Sequence, residues 1–185
     1  MNPILSSMVL LAAIVAPFSQ KPATLATLPK PLAVVSVDTL KTMIPESDGW
    51  TRGPLTGDVV SVSDDTGYSF AVATFVNGNA KVHLTIGDTG GIGDCNMALA
   101  GMISVLPEGY SETPAPATTI MRFTYAGFQA ASKWNAEKFT GEFSVLVADR
   151  FVVKADGEGV DALDTLRVFV SKVDLKKLAD LKPGK

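Results

Sequence analysis

Tyr68–Asp88 reads YSFAVATFVNGNAKVHLTIGD, and its period decides the fold. In Tyr68–Val76 one face carries Tyr68, Phe70, Val72, Thr74 and Val76. The return segment alternates Val82, Leu84 and Ile86 with Lys81, His83 and Thr85. A period of two is the spacing of a strand, whose successive side chains point to opposite faces. Between the two runs stands Asn77-Gly78-Asn79, residue types that tolerate the left-handed backbone of a tight hairpin. The pattern predicts an antiparallel sheet with one wet face.

The same alternation returns in the second half. Met121, Phe123 and Tyr125 alternate, then Phe128, Ala130, Ser132 and Trp134. Phe143, Val145 and Val147 follow a loop through Gly141, and Phe151, Val153 and Ala155 follow a tight turn at Asp149-Arg150. Helical spacing separates these blocks. Ser36 caps a short helix carrying Val37, Leu40 and Ile44, stopped by Pro45. Asp94 caps a helix burying Leu99, Met102, Ile103 and Leu106, ended by Pro107. Val160, Leu163 and Val170 mark a third. A last amphipathic turn places Leu175, Leu178 and Leu181 on one side, with Lys176, Lys177 and Lys182 facing water. The order predicts an α+β fold: a mainly antiparallel sheet with helices packed on one face. LKTMIPESDGWTRG (Leu40–Gly53) and AGMISVLPEGYSET (Ala100–Thr113) share a helix end, Pro-Glu, then Gly-aromatic. They suggest a pseudo-repeat of a helix-plus-strands unit.

Composition bounds the function. With 46% hydrophobic and 19% charged residues, the chain is too apolar to be disordered. At 185 residues it has room for one domain. A net charge of −3 leaves no basic surplus for phosphates, which argues against a nucleic-acid partner. One cysteine and one histidine exclude a disulfide framework and an intrachain Cys/His zinc site.

Residues 1–20 carry no charged side chain, and ILSSMVLLAAIV (Ile4 to Val15) has the length of a signal-peptide core. A membrane span needs roughly 20 apolar residues, so the expectation is an export signal and no stable span after its cleavage. Residues 21–35 are proline-rich and read as a linker, and 36–182 as a single domain. The expected location is periplasmic or secreted, where Cys95 stands as a small buried hydrophobe.

Candidate chemistry is sparse. Gly87-Asp88-Thr89-Gly90-Gly91-Ile92-Gly93-Asp94 lies between a strand and a helix, where phosphate loops occur. No lysine follows it, and no third glycine completes a dinucleotide fingerprint. Gly90 and Ile92 break an EF-hand pattern. The loop reads as a turn and helix cap, or as a weak cation or ligand loop using Asp88, Thr89 and Asp94. His83, between Lys81 and Thr85, reads as an exposed side chain on the polar face of its strand. Asp64-Asp65 and Asp156-Gly157-Glu158-Gly159 read as turns and loops, although a carboxylate pair for hydrolysis need not be close in sequence. Trp50, Tyr110 and Trp134 are core aromatics or, alternatively, the lining of a ligand groove. Among them Trp50 and Trp134 are the candidate ligand contacts.

GWTRG (Gly49–Gly53), LTIGDTGG (Leu84–Gly91), GEFSVLVADRFVVKADGEGVD (Gly141–Asp161) and VDLKKL (Val173–Leu178) together resemble an uncharacterised family of small exported bacterial proteins. The architecture is similar to the Mog1/PsbP-type α/β/α sandwiches, which implies an accessory or binding module. The expectation is therefore a non-catalytic exported domain that binds an envelope protein or a small ligand, with no cofactor. Alternatives are a carboxylate-based hydrolase and a weak divalent-cation binder using the 87–94 loop.

Overall fold

Asn77 pairs with Ala80, so the hairpin closes on two residues, with Gly78 at φ +58°. The structure, a computed structural model, describes residues 34–63, 67–90, 109–115 and 117–182. The predicted Asp94-capped helix, Cys95, Asp64 and Asp65 lie outside the described residues.

Around that hairpin the strands are β1 (Thr51–Arg52), β2 (Thr56–Ser61), β3 (Gly67–Asn77) and β4 (Ala80–Asp88). The second group is β5 (Ser111–Ala115), β6 (Thr118–Tyr125), β7 (Phe128–Asn135), β8 (Thr140–Val147) and β9 (Phe151–Glu158). They form one open sheet in the order β1-β3-β4-β9-β8-β7-β6-β5, with β2 also along β3. Every pairing among the described residues is antiparallel. Two meanders, β1–β4 and β5–β9, are thus fused along one seam, β4 against β9. The helices are α1 (Val37–Lys41), α2 (Leu163–Ser171) and α3 (Leu175–Ala179). Ser36 and Asp174 cap α1 and α3 by accepting from Thr39 N and Lys177 N. Among the described residues no helix is long and apolar enough to cross a membrane.

One face of the sheet carries the main hydrophobic cluster, and Ala131, Ser144 and Val152 on the other face are also fully buried. Register places Ala71, Ile86, Val153, Val145 and Ala130 in one row, and Ala73, Leu84, Ala155 and Phe143 in the next. Small residues on β3 sit opposite large ones on β4, so the layer keeps an even thickness. Helix residues join this layer. Phe169 of α2 packs against Phe75 at 4.8 Å between ring centroids, and Trp50 meets Phe169 edge-on at 5.1 Å. A Cβ on Gly157 would stand 2.6 Å from Leu166, so glycine lets α2 approach β9. Leu40, Leu166, Val170 and Leu178 are fully buried.

Register settles which face of β3 is covered, and two local expectations need correction. The large set Tyr68, Phe70, Val72 and Thr74 is only half-buried, and the fully buried face of β3 is Ser69, Ala71, Ala73 and Phe75. Register with Val82, Leu84 and Ile86, not side-chain size, decides which face is covered. The turn between β8 and β9 spans residues 148–150, one residue longer than the expected Asp149-Arg150. Ala148 and Asp149 take φ of +52° and +51°, and Arg150 N donates to Val147 O. Asp156 and Glu158 belong to strand β9 and not to a loop, because polar side chains are accommodated on the face away from the core. Of the suggested repeat, most of Ala100–Thr113 lies outside the described residues. Gly49 and Gly109 both take left-handed φ, +78° and +76°, each just ahead of an aromatic residue and a strand.

The seam ends at Asp88. Its buried carboxylate receives Arg150 through Nε and a terminal nitrogen, each at 2.8 Å. Val35 N donates to the same carboxylate at 2.6 Å and Gly90 N at 2.8 Å. Ser69 Oγ donates to Val35 O at 2.6 Å, tying the segment before α1 to β3. Thr89 donates through both its N–H and its hydroxyl to Arg150 O. One side chain therefore joins β4, the β8–β9 turn and the chain ahead of α1. Removing one partner of a buried, hydrogen-bonded ion pair costs about 3–5 kcal/mol. Asp88→Ala is expected to lower stability by that amount in urea unfolding, while Asp164→Ala, at the exposed pair with Arg167, changes it by less than about 0.5 kcal/mol.

Candidate functional site

Of the residues singled out in the sequence, Asp88 and Thr89 are occupied by the internal bonds just described. Both Asp88 oxygens accept N–H donors, an arrangement that leaves them poorly placed as cation ligands. Asp94 lies outside the described residues. Among the described residues no group of three His, Cys, Asp or Glu side chains is arranged to hold a metal ion. Trp50 and Trp134 are both half-buried against the core, but they do not share a groove. Trp50 precedes β1 at one edge of the sheet, whereas Trp134 lies on β7 and covers Gly141. Tyr110 donates its hydroxyl to Glu112.

Trp50 does line a pocket of about 270 Å³ at the end of the sheet. Its other walls are Asn77, Asn79 and Ala80 of the β3–β4 hairpin, Gly159, Val160 and Asp161 after β9, and Thr165 of α2. The sequence places these residues for local reasons. The two-residue turn brings Asn77 and Asn79 to the tip, and Gly159 takes φ +64° to turn the chain into α2. A Cβ on Gly159 would stand 2.9 Å from Asn79 O, so only glycine lets the two loops touch. The seam brings them together, because Lys81 pairs with Glu158. Asn77, Asn79 and Asp161 are exposed and Val160 is buried, which gives an apolar floor and a polar rim.

The second polar group lies on the sheet face opposite the core. Thr74, His83, Asp156, Glu142 and Lys133 form a row across five strands. Lys154, two residues before Asp156, bonds Asp156 at 2.7 Å and Glu142 at 3.3 Å. His83 is not an exposed side chain. It is half-buried, and its Nδ1 shares a 2.9 Å hydrogen bond with Thr74 Oγ1. Alternation assigned its face correctly, but exposure depends on the neighbours that register supplies, and sequence spacing does not give those. Beside Lys154 in register, the Ser144 hydroxyl is fully buried and has no hydrogen-bond partner among the described residues.

Burial pushes the Asp156 carboxyl above its ordinary range, with Glu142 adding to the rise and Lys154 and His83 opposing it. Burial alone would lower the Lys154 ammonium, but the Asp156 and Glu142 carboxylates outweigh it and raise it. Two carboxylates share one cation, so the trio keeps one uncompensated negative charge when all three are ionised.

Asp156 with a raised pKa stabilises the fold most below its ordinary value of 3.8, and that contribution is lost as pH climbs through the raised value. Lys154 stabilises below 10.5 and loses its contribution as pH climbs through its own raised value. Lys154→Met leaves two half-buried carboxylates without a cation. It is expected to cost about 1–3 kcal/mol near neutrality, narrowing as the carboxylates protonate in acid. Urea unfolding at several pH values checks this, and a difference independent of pH contradicts it.

Comparison with protein-family models, with curated proteins and with solved structures found no match for this chain.

Proposed function

We propose that this chain is a non-catalytic exported binding or accessory module, with helices on one side of its sheet and a ligand site at the sheet end. The reading rests on one observation above the others: the pocket walled by Trp50, Asn77, Asn79, Asp161 and Thr165. A concave site with an aromatic wall and a few polar groups is the usual form of a small-ligand site. Among the described residues its lining holds no histidine, lysine or cysteine, and Asp161 is its one ionisable side chain. The helix contacts Phe169–Phe75 and Leu166–Gly157 support the one-sided arrangement. The matching Gly-aromatic turns at Gly49–Trp50 and Gly109–Tyr110 support the repeat of a helix-plus-strands unit. Export, to the periplasm or outside the cell, is supported by the uncharged first 20 residues.

A second reading, a carboxylate-based hydrolase, draws on Glu142 and Asp156 standing opposite each other in register with Asp156 raised. Both carboxylates are committed to Lys154, and they lie on a sheet face. Turnover of an aryl glycoside that Asp156→Asn abolishes would favour this reading.

The binding reading is tested without assuming a ligand. In a Trp134→Phe variant, Trp50 is the remaining tryptophan. Its emission is followed against a chemically diverse fragment library. Fragments are expected that shift Trp50 emission and lose their effect when Thr165→Arg fills the pocket. A library with no such fragment overturns the reading.

A further inference from the structure

We infer that the sheet-end pocket takes one ring of an uncharged saccharide, with Trp50 as the stacking wall. This deepens the binding reading above and rests on it. The volume, about 270 Å³, falls just below the range of about 300–1,000 Å³ that holds drug-sized ligands, so a single ring is the right scale. The wall chemistry selects the class. Asn77, Asn79 and Thr165 offer paired donors and acceptors, which suit hydroxyls that both donate and accept. Asp161 accepts from hydroxyls and, with no lysine or arginine among the described lining residues, disfavours an anion. A quaternary ammonium group would use Trp50 and Asp161, but it has no N–H to offer the amides and the hydroxyl. A flat indole presents an apolar face to the C–H side of a sugar ring.

A second aromatic stands at the same end of the sheet. Phe139 is 51% exposed and holds φ +52°, a conformation that bulky residues rarely adopt. Its carbonyl accepts from Val160 N of the pocket wall at 3.2 Å. An exposed ring on the residue whose backbone carbonyl bonds the pocket wall is a platform for a neighbouring sugar unit, so oligosaccharides are expected to bind more tightly than single sugars.

The experiment is a titration of the Trp134→Phe protein with the methyl glycosides of glucose, galactose, mannose and N-acetylglucosamine, and with short oligomers of each. Choline and inorganic phosphate form separate arms. At least one glycoside is expected to change Trp50 emission saturably, with a Kd on the order of 1 mM. Asp161→Ala or Thr165→Ala is expected to weaken it about tenfold. Phe139→Ser is expected to abolish the preference for oligomers and leave the single sugar unchanged. Saturable choline or phosphate binding without any glycoside overturns the saccharide assignment. If no saccharide binds but fragments still report through Trp50, the class is wrong and the binding reading stands. Silence from both sets of ligands removes the two together.

Discussion

The architecture depends on the seam between β4 and β9. Each meander is internally local, since β2–β3, β3–β4 and every step from β5 to β9 pair strands that are neighbours in sequence. The pairing of Lys81–Asp88 with Phe151–Glu158 is what makes one sheet of the two. The seam is anchored at one end by Asp88, a carboxylate with four donors and no exposure. At the other end it presents the β3–β4 hairpin beside Gly159, and the pocket forms there. Structural anchor and candidate site therefore occupy opposite ends of the same strand pair.

The seam also sets the electrostatics of the polar face. His83 and Thr85 on β4 lie opposite Asp156 and Lys154 on β9. With β8 on the other side of β9, Glu142 and Ser144 complete the group. Their half-burial raises the energetic stake of each charge, and Lys154 answers it by serving two carboxylates at once. Such a network fixes register, because sliding β9 by one residue would turn Lys154 and Asp156 toward the core.

Much of the fold was legible because alternation and turn chemistry are local. Asn77-Gly78-Asn79 announced the hairpin, and Leu175 and Leu178 announced a docked helix, since period and capping are written in neighbouring residues. What escaped was set by partners distant in sequence. Asp88 and Arg150 are 62 residues apart, so nothing near Asp88 marked it as an ion-pair anchor in place of a ligand. His83 read as wet because its neighbours Lys81 and Thr85 are polar, while its real surroundings come from β3 and β9. Asp156 read as loop because glycine flanks it, yet Gly157 is there to admit Leu166. The pocket was half legible. Trp50 was singled out, but Asn77 and Asn79 were read only as turn formers, and Asp161 and Thr165 carried no signal.

Native-state hydrogen exchange across the seam measures whether the two meanders open as one unit. If β4 and β9 hold the two meanders as one cooperative unit, amides in 82–87 and 152–157 exchange among the slowest and share one opening free energy. Amides of the outer strands β2 and β5 then exchange faster. Seam amides that exchange faster than those inside either meander would mean that the halves open independently, and the account would fail.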